Sequence, residues 1–140
     1  MRYIKVDGKI VLRLQRGEEI IASLAELCKK ENIGLASISG IGACDRAVIG
    51  LYKMDEQCYV KTLIEEDLEL VSLNGNATLS AGGEAYIHCH AVFGAEGGKL
   101  LGGHLNEALI SGTAEIFIDV INGAVKRTVD EETGLNVFDI

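Results

Sequence analysis

The sequence predicts an α+β domain, a mainly antiparallel β-sheet packed against one N-terminal amphipathic helix. Three observations predict it. Apolar residues recur at helical spacing only once and early, between Glu18 and Ile33. From Leu35 onward, strand-like segments follow one another with no second helical stretch, the order of an α+β sheet rather than of βαβ units. The chain holds 17 glycines and no proline, so its turns fall to Gly, Asn and Asp, as tight hairpins require.

The elements follow in order. Ile10–Leu14 is a first strand. Gly17 opens a helix from Glu18 to about Ile33, with Ile20, Leu24, Leu27 and Cys28 on one stripe. Glu18 and Glu19 in its first turn and Lys29 and Lys30 near its end suit the helix dipole, and Gly34 is the expected stop. Leu35–Ile41, Ala47–Tyr52, Cys58–Ile64 and Leu68–Leu79 read as strands, with Asn74-Gly75-Asn76 a turn or bulge inside the last. Ala81–Glu84 is a turn, Tyr86–Phe93 a strand, and Gly94–Lys99 a second turn. Leu100–Leu105 and the β-branched stretch Ala108–Ile121 follow. Asn122-Gly123 then signals a hairpin that returns through Ala124–Val129.

A chain of 140 residues with 48% apolar content is one domain by size, spanning 1–140, with enough material for a core. No apolar run is long enough for a membrane helix, and the start shows no signal-peptide core, so a cytoplasmic protein is expected. The net charge of −8 disfavours binding to a phosphate backbone, and Lys29-Lys30 and Lys126-Arg127 are the only adjacent basic pairs. Cys28, Cys44, Cys58 and Cys89 form no Cys-x-x-Cys and read as reduced, mostly buried thiols.

All three histidines fall within 17 residues, in His88-Cys89-His90 and Gly102-Gly103-His104. His-x-His on a strand turns both imidazoles to one face and Cys89 to the other. A third imidazole on a neighbouring strand completes the three-nitrogen shell of an open zinc site. The glycines between His90 and His104 let the chain turn back and bring His104 beside the pair. The expected site is therefore a divalent-metal centre, with zinc favoured, held by His88, His90 and His104. Glu84, Glu96, Glu107 and the more distant Glu69 are the candidate carboxylates for a fourth position. Cys44, or Cys89 if it breaks strand alternation, is the alternative. An open fourth position would admit a small-molecule ligand. No catalytic residue and no reaction can be named from the sequence.

Gly82, His88, His90, Glu96 and Gly103 also nearly trace the first cupin motif, but the second, with its Pro and late His, is missing. A fuller match lies elsewhere. Gly17-Glu18-Glu19-Ile20 and Ser39-Gly40-Ile41-Gly42-Ala43 come first, then Glu69-Leu70-Val71-Ser72-Leu73-Asn74-Gly75-Asn76. His88-Cys89-His90-Ala91-Val92, Gly102-Gly103-His104-Leu105 and Ser111-Gly112-Thr113-Ala114-Glu115 complete the series. In this order residues 10–121 resemble the plants-and-prokaryotes conserved domain (PPC, also called PCC), in its stand-alone prokaryotic form. The resemblance implies an antiparallel sheet with a helix against it, assembly as a homotrimer, and a metal at the positions of His88, His90 and His104. Plant members place an AT-hook before the domain, which grips DNA while the domain makes protein contacts. No Arg-Gly-Arg-Pro core occurs here, so direct nucleic-acid binding is not expected. The alternative function is a protein-interaction or DNA-associated regulatory module in which any metal is structural.

Overall fold

The computed structural model describes residues 1–140, and its architecture is a mostly antiparallel sheet with one short helix. The sheet begins one strand earlier than the sequence reading placed it. β1 (Arg2–Val6) pairs with β2 (Lys9–Gln15) through a two-residue turn in which Asp7 (φ 49°) and Gly8 (φ 77°) are both left-handed. Two positive φ values match the turn to the twist of a hairpin.

The helix α1 spans Ile20–Glu31, shorter at both ends than expected. At its start the Glu19 carboxylate accepts hydrogen bonds from the backbone N–H groups of Ile21 (2.9 Å) and Ala22 (2.6 Å), so Glu19 caps the helix from outside it. The same carboxylate accepts from Ala108 N–H (2.9 Å) and ties the helix start to a strand. At its end Asn32, not Gly34, takes the left-handed conformation (φ 55°) and donates its N–H to the carbonyls of Cys28 and Lys29. Asparagine tolerates that conformation, so the helix stops two residues before the glycine. Ile20, Leu24, Leu27 and Cys28 are buried in the same apolar cluster as Leu12, Leu14, Phe93 and Ile116 of the strands.

Two long strands dominate the sheet. β3 (Ala36–Lys53) and β7 (Lys99–Val120) pair along their length, from Ala36 opposite Val120 to Gly50 opposite His104. The sequence breaks each of them in two, at Gly42–Arg46 and at Asn106-Glu107. The structure instead absorbs these residues as register shifts, and the strands bend without ending. Cys44 accordingly lies in a strand rather than a loop. β4 (Cys58–Ile64) pairs with the second half of β3, and β5 (Leu68–Leu79) with its first half. β6 (Ala85–Ala95) joins β5 to β7 through a 3₁₀ turn at Glu96–Gly98, so β3, β5, β6 and β7 close into a ring of pairings. Asn74-Gly75-Asn76 is neither a turn nor a bulge. It runs straight within β5, with Asn74 opposite His90 and Asn76 opposite His88.

The expected hairpin at Asn122-Gly123 does not form. The chain leaves the sheet after β7, touches Gly34 and Leu79 through single parallel bridges, and makes its own small ribbon, β8 (Arg127–Val129) with β9 (Asn136–Phe138). No helix is long and apolar enough to cross a membrane.

All four cysteines are free; Cys28, Cys44 and Cys89 are buried and Cys58 is exposed. Burial pushes the thiols up, to about 11 for Cys28 and to about 12 for Cys44 and Cys89.

Candidate metal centre

Strand alternation sorts β6 into two faces. Cys89, Ala91 and Phe93 point into the core, and Tyr86, His88 and His90 point the other way. On β7 His104 stands directly opposite His90, because Gly102 and Gly103 carry the strand past Val92 and Ala91 in register. The three rings gather with centroids 5.1–5.6 Å apart, and one ligand atom of each lies within 4.8 Å of the others. Coordination at about 2.0–2.1 Å needs nitrogen separations of roughly 3.3 Å, so the rings would have to draw closer to hold an ion.

Cys89 is fully buried on the opposite face, so strand alternation holds and it faces away from the trio. Cys44 is likewise buried in the core. No carboxylate joins the three histidines. Glu107 is paired with Arg46, Glu69 stands opposite Gly94 at the far end of the β5–β6 hairpin, Glu84 precedes β6, and Glu96 lies in the 3₁₀ turn. The fourth-ligand candidates of the sequence are thus not assembled at the site.

The surroundings favour the neutral forms of His88 and His104. Burial, helped by the neighbouring His104, Arg127 and His90, lowers His88 to about 4. Burial, His90 and Lys61 lower His104 as well. The Nδ1 of His104 is buried with no hydrogen-bond partner. A neutral ring with an unpartnered buried nitrogen, facing two more imidazoles, is the donor set that a borderline-soft divalent ion takes. The residues fit a metal.

A second layer surrounds the trio, and little of it is visible in the sequence. Tyr59 of β4 lies against His104 (centroids 4.9 Å) and against Tyr52 (4.9 Å). Gly50 makes this possible, since a Cβ there would come within 2.9 Å of the Tyr59 ring. On the His88 side stands Arg127, 4% exposed and stacked between Tyr86 and Phe138 at 4.7 Å from each ring. It donates to Thr78 Oγ1 (2.9 Å), Asn76 Oδ1 (2.8 Å) and the Asn136 carbonyl (2.7 Å), and its Nη2 lies 3.4 Å from His88 Nδ1.

The segment after Arg127 then crosses to the opposite side. Tyr52 Oη donates to the Thr133 carbonyl (2.6 Å) and Gln57 Nε2 to the Glu132 carbonyl (3.0 Å). Residues 127–138 are a strap, anchored at one end beside His88 and near its middle at the β3–β4 hairpin that carries Tyr59. The Lys126-Arg127 pair gave no hint of this, because the partners of Arg127 come from three separate stretches of chain.

Fold and site together define a small antiparallel β protein with an outward-facing, metal-competent cluster of three imidazoles. The family is specific: residues 1–122 match the Plants and Prokaryotes Conserved (PCC) domain, and the chain belongs to that family. The match begins at residue 1 and so includes β1. A candidate DNA-binding protein from Bacteroides thetaiotaomicron superposes with a TM-score of 0.94 at 28% identity, over 99% of this chain and 96% of that one. A metal-containing protein from Archaeoglobus fulgidus gives 0.86 at 33% identity, over 96% and 94%. A plant- and prokaryote-conserved protein from Pyrococcus horikoshii gives 0.87 at 31% identity, over 99% and 94%. No curated protein matches the chain.

Proposed function

We propose that this chain is a metal-binding PCC-domain protein in which His88, His90 and His104 hold one divalent ion, zinc by preference, with one position left for an exchangeable ligand. The observation that carries the reading is the cluster itself, three ligand atoms within 4.8 Å with the buried His104 Nδ1 unpartnered. The metal-containing relative from Archaeoglobus fulgidus supports it. A bound ion would supply Lewis acidity at the open position. The residues of the chain favour the neutral forms of His88 and His104, fix all three rings on adjacent strands, and flank them with Tyr59 at His104 and Arg127 at His88.

The working form is a cytoplasmic homotrimer folded as one domain over 1–140. Exposed apolar side chains on the β3–β4 hairpin, Leu51, Met54, Val60 and Leu63, support an assembly face, and four free thiols suit a reducing compartment. The net charge of −8 argues against carrying DNA binding over from the Bacteroides relative.

Elemental analysis of protein purified without chelator tests the reading. About one ion per chain is expected, the loading of a single site, and His104→Ala should abolish it while the protein stays folded. A metal-free wild type that gains no ion on zinc titration would overturn the proposal. Light scattering should give the mass of three chains.

A further inference from the structure

Arg127 is the one charged side chain that the fold buries. Its hydrogen bonds go to neutral groups, a hydroxyl, an amide oxygen and a backbone carbonyl, with His88 Nδ1 3.4 Å from Nη2, and no carboxylate pairs with it. A buried guanidinium satisfied in this way has no counter-charge and only the faces of Tyr86 and Phe138 to offset it, an expensive arrangement when packing alone is at stake. The cost is incurred beside His88.

The other charge that bears on the trio, Lys61, is also positive. It stands opposite Gly50, which in turn stands opposite His104. Although the chain has 21 acidic residues, none joins the cluster. A divalent ion held by the trio would add two positive charges to those of Arg127, beside His88, and of Lys61, one strand beyond the Gly50–His104 pair, within a protein whose net charge is strongly negative.

We propose that the open position on the metal is selective for an anionic oxygen ligand, a small molecule presenting a carboxylate or phosphate group, and that Arg127 sets the selectivity. The inference rests on the metal reading above. Arg127 is a positioning and specificity residue: Thr78, Asn76 and Asn136 hold its guanidinium beside His88, and it acts on the open position through its charge.

Cobalt(II) loaded into the full chain tests the proposal, because its visible absorption reports the ligand at the open position without any assay of activity. The loaded protein is titrated with acetate, with inorganic phosphate and with neutral imidazole. In the wild type, acetate or phosphate should shift the spectrum saturably, and the one that does so assigns the group. Arg127→Met should weaken that binding by about tenfold, the scale of one nearby charge at intermediate dielectric. Compared at equal cobalt loading, imidazole binding should change far less than anion binding, and Arg127→Lys should restore part of the anion loss. Equal anion affinity in wild type and Arg127→Met overturns the proposal. If Arg127→Met does not fold, the wild type decides alone: imidazole binding in preference to both anions overturns it. Failure of cobalt to bind at all is a different result, since it removes the metal reading itself.

Discussion

On β6, Cys89, Ala91 and Phe93 turn inward and are at most 2% exposed, whereas His88 and His90 turn outward, half-buried and exposed, beside Asn76 and Asn74 of β5. The residues alternate one by one, yet the two faces answer to different physics. The inner face is decided by volume and contact, and any well-fitting apolar side chain serves it. The outer face is decided by which polar atom stands opposite which. Stability and chemistry are therefore separable along one strand, and each prediction below tries to break that separation.

The largest effect belongs inside. Phe93→Ala should destabilise the protein by about 3–5 kcal/mol, the usual loss for a buried aromatic ring. The folded fraction should keep its metal stoichiometry. Urea unfolding monitored beside metal analysis checks this, and loss of metal from folded Phe93→Ala protein would show the faces to be coupled.

Acid should strike only the outer face. His88 is lowered from 6.5 to about 4 in the folded chain, so between those values the unfolded chain takes up a proton that the folded chain refuses. Stability of metal-free protein is then present above pH 6.5 and lost as the pH falls toward 4. The loss is on the order of 1 kcal/mol once solvent screening of a half-exposed ring is allowed for. The buried thiols, pushed up to about 11 and 12, titrate far above this window and contribute nothing to it. Urea midpoints at pH 7 and pH 4.5 measure the loss; His88→Gln should reduce it, leaving the part that the likewise lowered His104 contributes.

The smallest change in stability is expected at Gly50→Ala. The new methyl meets the edge of the Tyr59 ring, which can swing away, so stability should shift by less than about 1 kcal/mol. Tyr59 would leave His104, and metal affinity, measured against a competing chelator, should fall several-fold. A large drop in stability with unchanged affinity would reverse the roles assigned to the two faces.

Much of the inner face could be read directly. Ile20, Leu24, Leu27 and Cys28 declare a helical stripe, and His-x-His declares a shared outer face, because both follow from local period alone. β1 carries no apolar alternation to mark it, since it is a largely exposed edge strand with charges at Arg2 and Lys5. Asp7-Gly8 was nonetheless a usable hairpin signal. The long strands read as broken at glycines and charges because register shifts leave no local mark. Arg127 was illegible for a deeper reason. Thr78, Tyr86, His88 and Phe138 meet around it only after the sheet has closed, so no spacing in the sequence encodes their company.

The pairing of β3 with β7 also sets the timetable of folding. Its contacts join the second quarter of the chain to the last third, a high contact order that makes closure slow compared with hairpin or helix formation. During synthesis β5 and β6 can pair while β7 is still missing, with His88 and His90 exposed as an incomplete pair of ligands. His104 is added only when β7 emerges and zips onto both neighbours. Under the proposed function, capture of an ion by all three rings would therefore be a late event, marking chains whose sheet has already closed.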